Sequence, residues 1–189
     1  MEAAILKKVV NGVNVDELFS TIGLIKQHPD IAKFKFRATN KWVDGTHNRA
    51  TVKDFYGAGK EDDTRETMVF HLDEPPVLLG NNLGANPVEY LLVALSGCLT
   101  TAMIAHGSAK GIQIKAIESR YEGDIDIRGL LGISEDVKVG YQNIRVYCKI
   151  DADIPEAQKE ELVKLAQKHS PVFNTIFNQT PVSVQLDRG

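Results

Sequence analysis

The sequence has little cysteine. Two occur among 189 residues, Cys98 and Cys148, fifty positions apart and in no CxxC pair. That excludes a disulfide framework, and each thiol has to be explained singly. The five histidines, His28, His47, His71, His106 and His169, form no HxH, HExxH or Cys/His pattern, so no metal is expected. Positive charge is also scarce. Lys and Arg number 22 against 25 Asp and Glu, a net charge of -3, which points away from nucleic acid as a partner. The opening MEAAILKKVV is followed by no cleavage-site pattern. The most apolar stretch, Tyr90 to Ala105, is 16 residues long and is interrupted by Ser96, Gly97, Thr100 and Thr101. A membrane span needs about 20 apolar residues, so no membrane is expected and the location is expected to be cytoplasmic.

What is present reads as one ordinary globular domain, with 43% hydrophobic and 25% charged residues. VDELFSTIGLIKQH places Leu18, Ile22 and Ile25 at helical spacing, with Pro29 ending the helix. The period then changes to two. AKFKFRAT alternates Phe34, Phe36 and Ala38 with Lys33, Lys35 and Arg37, the pattern of a half-buried strand. Asp44-Gly45 marks a turn, and RATVKDFY returns as a second strand. GAGKEDDTRE reads as loop and TMVFHL as strand. DEPPVLLGNNLGA is a long loop. Its glycines resemble a phosphate cradle, but no Lys-Ser/Thr follows, and linker is the better reading.

A helix is expected from Pro87 to about Lys110, closed by Gly111. GIQIKAIESRYEG, DIDIRG and YQNIRVYCKID read as strand, Pro155 to His169 as an amphipathic helix with Glu160 and Glu161 spaced to pair with Lys164, and PVSVQL as a last strand. Strands on both sides of one long helix indicate an α+β domain. A helix apolar nearly all round must be covered nearly all round, and a second copy of the chain is the simplest cover.

Cys98 lies in that helix among small and apolar neighbours: Leu91, Ala94, Leu95, Thr101, Ala102 and Ala105. It reads either as core, the usual place of a free cysteine, or as a reactive thiol. Cys148, on the apolar face of a strand, reads as core. Asn86-Pro87-Val88-Glu89 is a capping box with Pro at the first helical position. Nine residues put Glu89 and Cys98 about 13.5 Å apart on opposite faces, so cooperation between them needs an intermediary such as an arginine.

The run GANPVEYLLVALSGCLTTAMIAHGSAKG resembles the OsmC/Ohr family of osmotically inducible and organic hydroperoxide resistance proteins. HSPVFNTIF followed by PVSVQL looks like the family's segment for its second cysteine and last strand. The resemblance covers roughly residues 33–187, which makes residues 1–32 an N-terminal helical extension and 33–189 an OsmC-like domain. It implies an α+β fold of antiparallel sheets around a long buried central helix, an intertwined homodimer, and sites at the subunit interface. It also implies a thiol peroxidase for oxidative-stress defence. Cys98 matches the peroxidatic cysteine and Glu89 the helix-start glutamate. Ser170 stands where the family has its resolving cysteine. Arg49, or else Arg37, is the candidate for the thiolate-holding arginine. Because serine forms no disulfide, the implied reaction is a one-cysteine reduction of organic hydroperoxides. An external thiol would serve as reductant, with no cofactor. The alternative is a non-catalytic OsmC-like protein that binds an apolar small molecule at the dimer interface.

Overall fold

The computed structural model describes residues 8–188, so the first seven residues of the expected N-terminal extension lie outside it. The described chain forms two compact units, one of residues 8–9 and 14–91, the other of residues 10–13 and 92–188. A short hairpin, β1 (Val9–Val10) and β2 (Val13–Asn14), precedes helix α1 (Val15–Gln27). Asn14 caps α1 by accepting from the Glu17 amide.

The first unit holds two three-stranded antiparallel sheets. One has the order β3 (Lys35–Phe36), β6 (Phe55–Gly57), β7 (Lys60–Asp62). The other has the order β4 (Thr39–Asp44), β5 (His47–Val52), β8 (Met68–Leu72). The strand expected over AKFKFRAT is therefore divided between two sheets. Phe36 is not half-buried but 69% exposed, and stacks with Phe34 and Phe55. The expected loop GAGKEDDTRE also contains a strand, since Lys60–Asp62 pairs back on Phe55–Gly57. Ala58 (φ 51°) and Gly59 (φ 83°) both adopt the left-handed conformation that a two-residue hairpin requires, a turn masked by the polarity around it.

In the β4–β5–β8 sheet the register assigns every residue to a face. Lys41, Arg49 and His71 stand side by side on one face, with Thr39, Thr51 and His47. Trp42, Ala50, Phe70 and Leu72 lie on the other, where the Phe70 ring meets Tyr90 edge-on.

The loop after β8 is built around Asp73, which is only 1% exposed. Its carboxylate accepts from the Thr46 hydroxyl (2.6 Å) and the amides of Glu74 (2.9 Å), Asn81 (2.9 Å) and Leu83 (3.1 Å). A Cβ on Gly84 would lie 1.9 Å from the His71 carbonyl oxygen. The glycines thus serve close backbone approach, consistent with the linker reading.

Helix α2 (Pro87–Ala109) ends as expected. Gly111 is left-handed (φ 74°), and the Ile112 amide donates to the Gly107 carbonyl. Its 23 residues match the expected span, with Pro87–Glu89 and His106–Ala109 flanking the apolar stretch Tyr90–Ala105. By length and composition alone it would suffice to cross a membrane, a test that core helices also pass. One stripe, Leu95, Leu99, Met103 and Gly107, is buried, and in the second unit it packs with Ile150, Ala152, Leu162 and Ala166.

The second unit pairs two long antiparallel strands, β9 (Ile114–Ile125) and β10 (Tyr141–Ala152), which place Ile117, Tyr121, Val146, Cys148 and Ile150 toward this core. The strand expected through DIDIRG stops at Ile125. Asp126 then caps the short α3 (Ile127–Leu130). Helices α4 (Glu156–His169) and α5 (Pro171–Phe177) follow. Glu161 of α4 pairs with Lys110 rather than Lys164. PVSVQL forms no strand: residues 179–188 have no regular structure and Val184 is 92% exposed. Its alternation suits a strand, but a strand needs an edge, and among the described residues this segment pairs with none.

The four donors, the Thr46 hydroxyl foremost, hold the Asp73 carboxyl down to about 2. A depressed folded value stabilises the fold above the usual carboxylate range, and that contribution is lost as pH falls toward 2. In urea unfolding, Asp73→Asn is expected to lower the midpoint at pH 6 and to flatten its dependence between pH 5 and 2. An unchanged acid limb would contradict this role.

Candidate functional site

Helix α2 carries both principal candidates. At its start Asn86 and Glu89 form the expected reciprocal cap. The Asn86 amide donates to Glu89 Oε2 (2.9 Å), and the Glu89 amide donates to Asn86 Oδ1 (2.8 Å). Cys98 is a free, half-buried thiol. It borders the buried Leu95–Leu99–Met103 stripe on one side and the exposed Ala94, Gly97 and Thr101 on the other. A Cβ on Gly97 would meet nothing within 4 Å, so the helix surface beside Cys98 is open.

Cys148 differs. It is half-buried too, but on the core-facing side of β10, and burial pushes its thiol up. Ser170 is fully buried at the joint between two helices. Its amide donates to the Ala166 carbonyl to close α4, and its hydroxyl accepts from the Phe173 amide (3.1 Å) to open α5. The Ser170 side chain is thus a helix cap.

The two arginine candidates are placed differently. Arg37 is committed. It bridges Asp54 (2.8 Å) and makes a bidentate contact with Glu61 (both 2.8 Å). Arg49 forms no ion pair among the described residues, and it lies on the sheet face opposite the one where Phe70 meets Tyr90.

Two histidine pairs escaped the sequence reading, since their partners are remote along the chain. His47 Nε2 and His71 Nδ1 share a hydrogen bond of 2.9 Å. The rings of His106 and His169 lie 4.8 Å apart between α2 and α4. Burial, His169 and Lys110, in that order, hold His106 below its usual value. Among the described residues, no three or more His, Cys, Asp or Glu side chains gather as a metal site.

A family model described as OsmC-like protein matches residues 80–185, the stretch from before α2 to the C-terminal segment. Solved structures are similar in fold. An OsmC-like protein from Mycoplasma pneumoniae is 18% identical with a TM-score of 0.59, covering 77% of this chain and 89% of its own. An OsmC-like protein of unknown function from Vibrio cholerae is 11% identical with a TM-score of 0.55, covering 75% and 92%. An organic hydroperoxide resistance protein OsmC from Legionella pneumophila is 16% identical with a TM-score of 0.54, covering 75% and 88%. At these identities the likeness establishes the fold. No curated protein matches by sequence.

Two variants check the local physics. Ser170→Ala removes a buried cap and is expected to cost about 1 kcal/mol in urea unfolding. His106 resists protonation in the folded chain, so the unfolded chain takes the proton first and stability falls as pH drops below about 6.5. His106→Gln is expected to flatten stability between pH 7.5 and 5, and an unaltered slope would contradict the assignment.

Proposed function

Because the chain belongs to the OsmC-like family, we propose that it reduces organic hydroperoxides through Cys98, as a one-cysteine thiol peroxidase in oxidative-stress defence. The observation that carries this reading is the contrast between the two thiols. Both thiols are half-buried and both lie inside the family-matched stretch, but Cys98 sits on the open flank of α2 beside Gly97, while Cys148 sits on the core-facing side of β10, where burial pushes its thiol up. A reactive thiol needs an environment that favours thiolate, and the burial that raises the Cys148 thiol works against it there.

The chemistry balances as follows. The Cys98 thiolate attacks one oxygen of ROOH and the O–O bond breaks. Cysteine becomes sulfenic acid, and the alkoxide takes a proton and leaves as ROH. An external thiol condenses with the sulfenic acid, releasing water and forming a mixed disulfide. A second thiol attacks that disulfide, regenerating Cys98 and releasing the oxidised thiol. Ser170 cannot replace the external thiol, because its oxygen forms no disulfide. No cofactor enters this cycle. The fixed positive charge for the thiolate is assigned to Arg49, since Arg37 is already neutralised by Asp54 and Glu61. Arg49 faces away from its own Tyr90 side, so it would act on a second copy, with Glu89 orienting it.

The same reading makes the protein a homodimer. Val93 of α2, Trp42 and Phe70 of the sheet, and Val182, Val184 and Leu186 near the C-terminus are all exposed in the single chain. Intertwining two copies would cover such surface. With two unpaired cysteines and a need for reducing thiols, a cytoplasmic location suits it. Ser170 favours a second reading, a non-catalytic member that binds an apolar small molecule at the dimer interface.

The test is peroxide consumption, with cumene hydroperoxide as oxidant and excess dithiothreitol as reductant. Cys98→Ser is expected to lose at least about 100-fold in rate, the scale of removing a nucleophile, while Cys148→Ser stays within about twofold. Equal activity of wild type and Cys98→Ser would leave the binding reading. In sedimentation at micromolar concentration a dimer is expected, and a stable monomer would sink the interface site.

A further inference from the structure

The register of the β4–β5–β8 sheet does something costly. Lys41 lies directly opposite Arg49, and Arg49 directly opposite His71, in one row across three strands. Like charges directly opposite one another destabilise a sheet. Salt bridges do not relieve the row. Neither Lys41 nor Arg49 has an ion-pair partner among the described residues. His47 joins the cluster through its 2.9 Å hydrogen bond to His71, with the two rings stacked 5.2 Å apart. Two carboxylates lie near. Asp44 pairs in register with His47 at the far end, across a bulge. Asp73 is buried and already accepts from Thr46 and three amides. On the same face, Thr39 and Thr51 add two hydroxyls that contact each other at 2.6 Å. The opposite face carries Trp42, Ala50, Phe70 and Leu72 with the neutral pair Asn40 and Asn48.

We propose that this row is a binding site for a phosphoryl group, either free phosphate or the phosphate of a small ester. Two permanent cations match a dianion. An arginine fork can grip two of its oxygens while lysine acts as a point charge, and strands about 4.8 Å apart let both converge from neighbouring rows. The imidazoles and threonine hydroxyls supply further donors. The chain as a whole is acidic, so this concentration of bases on one face is local. Arg49 is also the arginine assigned above to the thiolate of a second copy, so phosphate and that thiolate would compete for it; the test therefore uses Lys41 and not peroxide turnover.

The test is a titration of the full chain followed by amide NMR. The probes are inorganic phosphate, then adenosine monophosphate, at fixed ionic strength with chloride as control. Shifts confined to β4, β5 and β8 that saturate in the low millimolar range are expected, with about tenfold weaker binding in Lys41→Gln. Equal affinity assigns free phosphate as ligand, and tighter binding of the ester assigns a phosphorylated small molecule. Either supports the site.

A second readout separates this role from a structural one. Without phosphate, Lys41→Gln relieves repulsion and is expected to raise the urea midpoint. With phosphate, wild type is expected to gain stability and the variant is not. Shifts reproduced by chloride, or undiminished in Lys41→Gln, would overturn the proposal. So would a lower phosphate-free midpoint for Lys41→Gln. If a 20-nucleotide single strand binds while phosphate and adenosine monophosphate do not, the row is a polyanion surface and the proposal fails.

Discussion

Helix α2 is apolar around most of its circumference, and one stripe of it is covered within the chain. Leu95, Leu99, Met103 and Gly107 form its buried stripe, spaced by four residues so that they stack along one line. That stripe organises the second unit, because Ile150, Ala152, Leu162 and Ala166 all pack into the same cluster. Val93 and Leu91 point elsewhere and remain exposed. Cys98 lies between these regions, at the border of covered and open helix surface. The position of the thiol follows from the stripe. It is close enough to the core to be held, and far enough from it to be reached.

The N-terminal hairpin is tied to the same helix. The Asn11 side chain donates to Ser108 Oγ (3.1 Å) and to the Ile112 carbonyl (2.9 Å), and accepts from the Ile114 amide (2.8 Å). Ser108, fully buried, donates to the Val10 carbonyl at 3.0 Å. These bonds satisfy polar groups around the end of α2 and the turn into β9, which would otherwise be costly to bury. Residues 10–13, which precede the family-matched stretch, therefore belong to the second unit.

Much of this was legible in the sequence because the signals are local. The cap at Asn86 and Glu89, the glycine stop at Gly111, and the alternation Ile144, Val146, Cys148, Ile150 each depend on neighbours a few residues away. The α+β class followed from those elements in order, and the family from the resemblance carried by the GANPVEYLLVALSGCLTTAMIAHGSAKG run. What stayed hidden depends on long-range partners. Asp73 looks like any loop aspartate until Thr46 is brought to it. The histidine pairs come from different elements. The β6–β7 hairpin hid behind polar residues, and PVSVQL has the alternation of a strand without an edge to join. For Cys98 the sequence left two readings open, core or reactive. The half-buried position removes full burial as an obstacle to access.

The central claim is that the two cysteines are chemically unequal and that Cys98 is the one that meets peroxide. The most direct measurement is peptide mass spectrometry of the fully reduced protein after brief exposure to an equimolar alkyl hydroperoxide in the presence of a sulfenic-acid trap. The account predicts rapid trapping at Cys98 with Cys148 unmodified. An unmodified Cys98, under conditions where a small control thiol is oxidised, would contradict it and leave Cys98 as a packing residue of a binding protein.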